Sequence, residues 1–192
     1  MLKIVNLPYL FFKKVNLPIT NKVMNRLLWF CCCVLLFTAC KKQDDPAVIN
    51  PDQAATDDQI IQKYITDNGI TGAKRVENVL GRPDTIGVWY VIEKQGPVNT
   101  LYSLASNITV GFTGRELTSG RQFATTGDVH PAYRLGEVIR GWQVGLPKVY
   151  KGGIIRLLVS SRYAYGPYRQ PLLGLDANAV LDFRIEVFDV TN

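Results

Sequence analysis

The sequence has 192 residues, and 47% of them are hydrophobic, which is enough for one ordinary domain with a sizeable core plus an appendage. Its formal net charge of +6 comes mainly from the first 39 residues, which hold five of the 22 Lys and Arg residues and no Asp or Glu. From Cys40 onward, 17 basic residues face 16 acidic residues. This balance provides no basic surface for a phosphate backbone, so we expect no nucleic-acid partner.

The cysteines and the single histidine argue against a metal site. Cys31, Cys32, Cys33 and Cys40 all lie in or beside one apolar run, and His130 is the only histidine. The chain beyond residue 40 therefore has no disulfide and no thiolate metal site, and a zinc site built on histidines is excluded too. We predict that the protein needs no metal and no cofactor.

The N-terminal segment has the pattern of an export signal. Basic residues precede Leu27–Phe37, an apolar stretch of 11 residues, and the small residues Thr38 and Ala39 follow it. A run of this length is typical of a signal-peptide core and is too short to span a bilayer comfortably. We assign residues 1–39 to a signal peptide, with Met24 as an alternative start that gives a signal of conventional length.

The segment Leu36–Cys40 resembles a bacterial lipobox, in which the cysteine is acylated and becomes the new N-terminus. The alternatives are an ordinary signal peptide with an unrelated cysteine, or an uncleaved anchor. The charged residues Lys41–Asp45 are similar to the tags of surface-exposed lipoproteins of the Bacteroidetes type. We therefore expect a lipid anchor at Cys40, in the outer membrane or at the cell surface or periplasm, and a flexible tether over residues 40–56.

A helix is predicted after the tether. Asp57 is its expected N-cap, and Asn68-Gly69 is its expected end. One face of the helix is apolar and should dock on the domain that follows. This face carries Ile60, Ile61, Tyr64 and Ile65.

Four segments have the pattern of β-strands, at residues 88–92, 107–112, 154–159 and 181–187. The last alternates Leu181, Phe183, Ile185 and Val187 with charged residues, which predicts a sheet with one buried and one wet face. Residues 137–145 form a short helical pattern that ends at glycine and proline. The predicted fold class is α+β, with an antiparallel sheet wrapped around one short helix and an N-terminal helix before it.

The motifs of covalent hydrolysis and nucleotide chemistry are absent. Neither G-x-S-x-G nor G-x-x-x-x-G-K-[ST] occurs in the sequence. Asp128 and His130 are two residues apart, but no serine beside them is marked by the glycines of a strained turn. We interpret this pair as part of a solvated loop.

Aromatic side chains form the most informative pattern. They occur at strand ends, on the short helix and in a glycine-flanked loop, and such residues fill the core of most domains. Their order and their neighbours favour a more specific interpretation. The residues are Phe112, Phe123, Trp142, Tyr163, Tyr165 and Phe183.

Six segments follow one another as in a known protein family. They are Gly111–Gly114, Ser119–Phe123, Leu135–Trp142, Gly152-Gly153, Tyr163–Gly166 and Asn178–Phe183. The series resembles the FKBP-type peptidyl-prolyl cis-trans isomerases, and V-I-x-G-W and Y-A-Y-G are its most specific parts. The match spans residues 104–190, and the helix and strand before it look like the entry segment of secreted FKBP-type lipoproteins.

The resemblance implies a five- or six-stranded antiparallel sheet around the short helix, with a pocket between them. Trp142 would form the pocket floor, the Tyr165 hydroxyl would point into the mouth, and the Ile139 N–H would hold a substrate carbonyl. These three would be the catalytic residues. The substrate-binding lining would further comprise Phe112, Phe123, Ala124, Val138, Leu175 and Phe183.

Two positions depart from the family pattern. Ala124 stands where the family usually has Asp, and Phe112 where it usually has Tyr, so a carboxylate and a hydroxyl are missing from the rim that orients the peptide. The segment Gly127–Tyr133 is shortened, which predicts a more open wall, and the loop over residues 167–177 is one residue longer than the common form.

We predict that residues 57–192 form an FKBP-like domain with an N-terminal helical extension. It would isomerise X-Pro bonds of exported, proline-containing polypeptides as a folding helper, with activity reduced by the two replacements. The alternatives are a non-catalytic FKBP-like peptide-binding or chaperone module and a purely structural surface lipoprotein.

Overall fold

The computed structural model of the protein describes residues 50–77, 87–97 and 99–192. The expected signal peptide, the lipid anchor at Cys40 and most of the expected tether lie outside the described residues. No helix in the described ranges is long and apolar enough to cross a membrane.

The N-terminal helix α1 spans Pro51–Asp67. The side chain of Asn50 caps it by accepting hydrogen bonds from the backbone N–H groups of Asp52 and Gln53, both at 3.1 Å. Proline suits the first helical position, where its missing N–H would have no acceptor within the helix. Asn68 is the C-cap of the helix, so its end lies where Asn68-Gly69 predicts it.

The predicted helix start at Asp57 is wrong. Asn50 followed by Pro51 is the stronger start signal, because asparagine is a preferred N-cap and proline fixes the backbone angle that the first turn needs. Residues 51–56 are therefore helix and not tether. Asp57 lies inside α1, and its carboxylate accepts hydrogen bonds from Ser161 instead of capping the helix.

The strands of the described residues form one antiparallel sheet. They are β1 (Lys74–Arg75), β2 (Val88–Lys94), β3 (Asn107–Glu116), β4 (Gln122–Thr125), β5 (Ala132–Arg134), β6 (Ile154–Val159) and β7 (Leu181–Thr191). The order is β1-β2-β6-β7-β3-β4, and β5 pairs with the first part of β3. The sheet has seven strands and not the five or six implied by the resemblance, because the short strands β1 and β5 extend its edges.

The short helix α2 (Arg140–Gly145) packs against β6. Three-residue 3-10 helices precede and follow it, so its α-helical part is shorter than the predicted residues 137–145. A Cβ atom at Gly141 would lie 2.5 Å from Cγ1 of Val159, a fully buried side chain of β6. Glycine at this position therefore allows α2 to pack closely against β6. The next residue, Trp142, is buried in the core as a result.

The alternating pattern of β7 is confirmed. The four apolar side chains of the predicted alternation, at Leu181, Phe183, Ile185 and Val187, are at most 3% exposed and belong to the main core. The opposite face of the sheet is partly covered by α1, whose Ile61 packs with Leu117, Leu158 and Val180. Full burial of a side chain such as Ile61 contributes roughly 1.5–3 kcal/mol, so α1 is a stable part of the domain.

Polar groups also join α1 to the sheet. Arg156 on β6 donates to both carboxylate oxygens of Asp182 on β7, at 2.9 Å from Nε and 2.6 Å from Nη2. The same Nη2 donates to the hydroxyl of Tyr64 on α1 at 2.9 Å. The hydrogen bond with Asp182 raises the pKa of Arg156, and burial raises the pKa of Tyr64. Asp182 is thus buried as a paired charge on the face that was predicted to be wet.

Candidate active site

A cavity of about 370 Å³ opens between α2 and the sheet. Its lining is mainly apolar and rich in aromatic rings, which suits an apolar group held by few polar contacts. The lining residues are Phe112, Phe123, Ala124, Tyr133, Glu137, Val138, Ile139, Trp142, Tyr165, Leu173 and Phe183.

Trp142, the expected floor residue, lines this aromatic cavity. It is 4% exposed, and its ring meets those of Phe112 and Phe183 edge to face, at centroid distances of 5.0 and 5.4 Å. Each such aromatic pair stabilises the fold by about 0.5–1.5 kcal/mol in addition to the contribution of its buried surface area. The indole N–H has no hydrogen-bond partner among the described residues, so the floor keeps one polar donor.

The walls depend on how β3 pairs with β7 and β4. Phe183 on β7 lies opposite Gly114 on β3, and Phe123 on β4 meets Phe183 edge to face at 5.6 Å. A Cβ atom at Gly114 would lie 2.7 Å from the Phe123 ring and 3.1 Å from the Phe183 ring. Glycine at this position therefore makes room for both rings. Ala124, which pairs with Gly114, offers the cavity only a methyl group.

Tyr165 brings a half-buried phenol to the cavity lining. It lies in the turn after the 3-10 helix Ser161–Tyr163, where the Ser161 carbonyl accepts hydrogen bonds from the N–H groups of Ala164 and Gly166 at 2.9 and 2.8 Å. Burial raises the pKa of Tyr165 above its ordinary value of 10.0. The hydroxyl therefore stays protonated at neutral pH and can donate a hydrogen bond.

Ile139 stands immediately before α2, as its N-cap. Its carbonyl accepts hydrogen bonds from the backbone N–H groups of Trp142 and Gln143 at 3.0 and 3.3 Å. The Gln143 side chain also donates to the Val138 carbonyl at 2.8 Å, which fixes the entry to the helix. The first N–H groups of a helix have no partner within it, so this geometry is compatible with the expected role of the Ile139 N–H.

The cavity brings together all the predicted pocket residues except Leu175. Leu175 is 2% exposed and belongs to the main core, whereas Leu173 lines the cavity. Arg121 donates to the carbonyls of Leu173 and Gly174 at 3.3 and 2.5 Å, and Gln170 forms a β-bridge with Leu175. These contacts fix the path of the loop over residues 167–177. The wall residue is therefore Leu173 and not the expected Leu175.

Two further lining residues, Tyr133 and Glu137, are missed by sequence reasoning. Tyr133 pairs with Ile108 through β5, and its ring lies 6.4 Å from that of Trp142, nearly perpendicular to it. The shortened segment Gly127–Tyr133 predicts a more open cavity wall. In the structure, the Tyr133 ring is part of that wall. Three residues are too few to show a strand pattern of their own, so the sequence carried no clear signal for β5.

A second cavity, of about 500 Å³, lies on the face of the sheet that carries α1. Its lining is charged, with Arg156 and Arg184 beside Glu93 and Asp182. Among the residues with a described structure, no group of three or more His, Cys, Asp or Glu side chains could hold a metal ion. Arg184 pairs with Glu93 at 2.8 Å and Arg156 pairs with Asp182 at 2.6 Å. Arg115, the remaining charged lining residue, donates to the Gln122 side chain at 3.4 Å. Because four of the five charged side chains in this lining are paired with one another, the aromatic cavity is the better candidate for the functional site.

Part of this chain matches a known protein family. Residues 102–188 match the sequence model of the family described as FKBP-type peptidyl-prolyl cis-trans isomerase. Over 87 residues the chain is 36% identical to FK506-binding protein 1 of Saccharomyces cerevisiae, a match that covers 43% of this chain and 75% of that protein. The chain belongs to the FKBP-type peptidyl-prolyl cis-trans isomerase family.

Bacterial members of the FKBP family match a longer stretch. FkpA of Buchnera aphidicola subsp. Baizongia pistaciae, an FKBP-type peptidyl-prolyl cis-trans isomerase, is 30% identical over 140 residues, which are 70% of this chain and 54% of that protein. The chain spans about half the length, 42% to 54%, of the FkpA proteins of Buchnera aphidicola. The crystal structure of FkpA from Escherichia coli matches with a TM-score of 0.59 at 22% identity, over 91% of this chain and 74% of that chain. This match confirms the predicted FKBP-like fold.

Proposed function

We propose that the protein is a peptidyl-prolyl cis-trans isomerase that acts on X-Pro bonds of exported polypeptides as a folding helper. The observation that supports this most directly is the aromatic cavity, in which Ile139, Trp142 and Tyr165 lie together in a chain of the FKBP family. We expect proline-containing polypeptides as clients, and neither a metal nor a cofactor.

The chemistry of the reaction suits such a cavity. Rotation about a peptide bond crosses a barrier of about 18–20 kcal/mol because twisting removes amide resonance, so the catalyst needs no nucleophile and no proton relay. The twisted amide is less polar than the planar one, and an apolar pocket therefore favours it. The Trp142 ring supports the proline, the Ile139 N–H holds a substrate carbonyl, and the Tyr165 hydroxyl donates to the peptide at the mouth.

A non-catalytic peptide-binding or chaperone module is the second candidate. Ala124 and Phe112 favour it, because both line the cavity and neither carries the polar group that the family usually has there. Fixed polar groups act more strongly on the twisted amide than on the planar one, so their loss lowers the rate more than the affinity. Retained affinity for X-Pro peptides with no turnover would identify this alternative.

Tyr165→Phe is expected to slow isomerisation roughly 2- to 12-fold and to leave the fold intact, since it removes a hydrogen bond worth about 0.5–1.5 kcal/mol and almost no volume. A protease-coupled assay on a short X-Pro peptide measures the rate. Tyr168→Phe is the matched control, because Tyr168 is 64% exposed and does not line the cavity. Equal rates for wild type and Tyr165→Phe would show that the hydroxyl has no part in catalysis. A wild-type rate no higher than that of the free peptide would reject the proposed function.

We further propose that the protein is exported and anchored by lipid. The support comes from the sequence, in which residues 1–39 have the pattern of a signal peptide and Cys40 ends a lipobox-like segment. Acylated Cys40 would hold the FKBP domain at the outer membrane, on the periplasmic side or at the cell surface, where exported polypeptides fold. The charged residues Lys41–Asp45 favour surface exposure, because they are similar to tags of lipoproteins of the Bacteroidetes type.

Cys40→Ser is expected to abolish acylation and to leave the protein soluble or unprocessed. Labelling with a radioactive fatty acid and membrane fractionation measure the two effects. Cys33→Ser is the matched control, because Cys33 lies within the apolar stretch that signal cleavage would remove. A Cys40→Ser protein that is still membrane-bound and fully cleaved would contradict the lipid anchor.

A further inference from the structure

Asp57 is a fully buried carboxylate in the middle of α1. Its Oδ2 accepts hydrogen bonds from the backbone N–H and the hydroxyl of Ser161, at 2.9 and 2.6 Å. Its Oδ1 accepts a hydrogen bond from the Gln53 side chain at 2.8 Å. Three donors therefore satisfy a charge that would otherwise be costly to bury.

Ser161 connects Asp57 to the turn that carries Tyr165. It begins the 3-10 helix Ser161–Tyr163, and its carbonyl accepts the hydrogen bonds from Ala164 and Gly166, the residues on either side of Tyr165. Ser161 thus donates hydrogen bonds to Asp57 and, through its carbonyl, fixes the residues on both sides of Tyr165. Hydrogen bonds thus connect Asp57 to Ser161 and Ser161 to the two chain neighbours of Tyr165.

Other contacts than this carboxylate also attach α1 to the sheet. Ile61 of α1 already packs with Leu117, Leu158 and Val180, and Tyr64 bonds to the Arg156 and Asp182 pair. Replacing buried ionic groups by well-packed apolar groups is often neutral or stabilising, and in some proteins such groups serve to fix one arrangement of their partners. The two hydrogen bonds of Asp57 to Ser161 are the contacts of this carboxylate outside α1, so its role is to be sought at Ser161 and the turn that follows.

We infer that Asp57 is a positioning residue for the isomerase site. Through Asp57, α1 contributes to the geometry of that site. Through Ser161 it holds the turn that presents the Tyr165 hydroxyl to the peptide. The inference rests on the proposed function as far as the rate is concerned, and its structural part, the ordering of the turn by α1, can be measured separately.

Asp57→Ala is expected to lower kcat/KM for an X-Pro peptide roughly 2- to 12-fold, and by no more than Tyr165→Phe does, because Ser161 loses two hydrogen bonds and the turn no longer holds the Tyr165 hydroxyl in place. Asp57→Asn should restore the rate to within about twofold, since an amide oxygen can accept both bonds from Ser161 and the Gln53 amide can turn to face the new NH2 group. Asp58→Ala is the matched control: Asp58 is the next residue of α1 and bonds to Arg75, not to Ser161. It should keep the wild-type rate.

A double-mutant cycle with Tyr165→Phe separates positioning from a general loss of stability. If Asp57 acts through the Tyr165 hydroxyl, Asp57→Ala should have little further effect once that hydroxyl is gone. If the two changes multiply, Asp57 acts by another route and the inference is overturned.

Amide hydrogen exchange of the full chain, measured by mass spectrometry in detergent micelles, tests the structural part without activity. Asp57→Ala should speed exchange in residues 161–166 at least about tenfold while β6 and β7 keep their protection. Uniform acceleration throughout the domain, or no change in residues 161–166, would overturn the inference. Should Asp57→Ala not fold, Ser161→Ala removes only the hydroxyl bond and is expected to show the same local pattern with a smaller amplitude.

The rate and exchange measurements also distinguish this inference from the proposed function. A wild-type protein without isomerase activity would reject the proposed function, and the local exchange in Asp57→Ala would still decide whether α1 orders the turn. An active wild-type protein whose Asp57→Ala variant keeps its full rate would uphold the function and reject the positioning role.

Discussion

Trp142→Ala is expected to lose about 3–5 kcal/mol of the free energy of unfolding, the range for large aromatic residues removed from a packed core. Trp142 is 4% exposed, and its ring lies edge to face against those of Phe112, Tyr133 and Phe183. Phe112, Tyr133 and Phe183 sit on strands and cannot move far enough to fill the space that the indole leaves. Affinity for X-Pro peptides should fall together with stability, because the same ring forms the floor of the cavity.

Urea denaturation measures the stability of this variant, and titration with an X-Pro peptide below the unfolding transition measures its affinity. Trp89→Ala is the matched control, since Trp89 on β2 is half-buried and packs with the cluster under α1, not with the cavity. It should lose less stability and keep its peptide affinity. Unchanged peptide affinity in folded Trp142→Ala would contradict the assignment of the floor.

The double variant Ala124→Asp with Phe112→Tyr is expected to gain isomerase activity. If the two restored groups together contribute about 1.4 kcal/mol to the transition state, the rate should rise about tenfold. Both positions line the cavity on neighbouring strands. The Phe112 carbonyl accepts a hydrogen bond from the Thr126 backbone N–H at 3.0 Å, and the Phe112 N–H donates to the Thr126 hydroxyl at 2.9 Å, which keeps these strands in register. The fold should survive, although a half-buried carboxylate is costly unless it is hydrogen-bonded.

Thr125→Asp is the matched control for the added charge. Thr125 follows Ala124 on β4, is exposed and does not line the cavity, so it should leave the rate unchanged. The assay is the same protease-coupled measurement, and circular dichroism establishes that each variant is folded. No gain in a folded double variant would favour the non-catalytic binding module over the isomerase.

Local patterns in the sequence predict much of the framework. The alternation along β7 and the β-branched runs of β2 and β6 correspond to observed strands, because periodicity and bounding turns are properties of neighbouring residues. The start of α1 is also marked by a local signal, Asn50 followed by Pro51, but Asp57 competes with it because aspartate has the chemistry of a helix cap. Only the hydrogen bonds of Asp57 to Ser161, 104 residues away in the chain, reveal its actual partner.

The candidate site could be assigned from sequence only through the family resemblance. Aromatic composition alone fits an ordinary core, and Trp142 and Phe183 do belong to the main core. Tyr133 reaches the cavity through the pairing of β5 with β3, and Leu173 lies in a loop that Arg121 holds by hydrogen bonds to backbone carbonyls. Such contacts join distant parts of the chain, so no pattern in one sequence indicates them.

The most direct test of the central claim is NMR of isotope-labelled protein mixed with an X-Pro peptide, observing the peptide and the protein in one sample. We predict that cis and trans peptide signals exchange much faster than the uncatalysed tens to hundreds of seconds. The protein signals that shift on titration should be those of the aromatic cavity, foremost Phe112, Trp142 and Tyr165. Exchange at the uncatalysed rate, or shifts confined to the charged cavity around Arg156 and Asp182, would contradict the account.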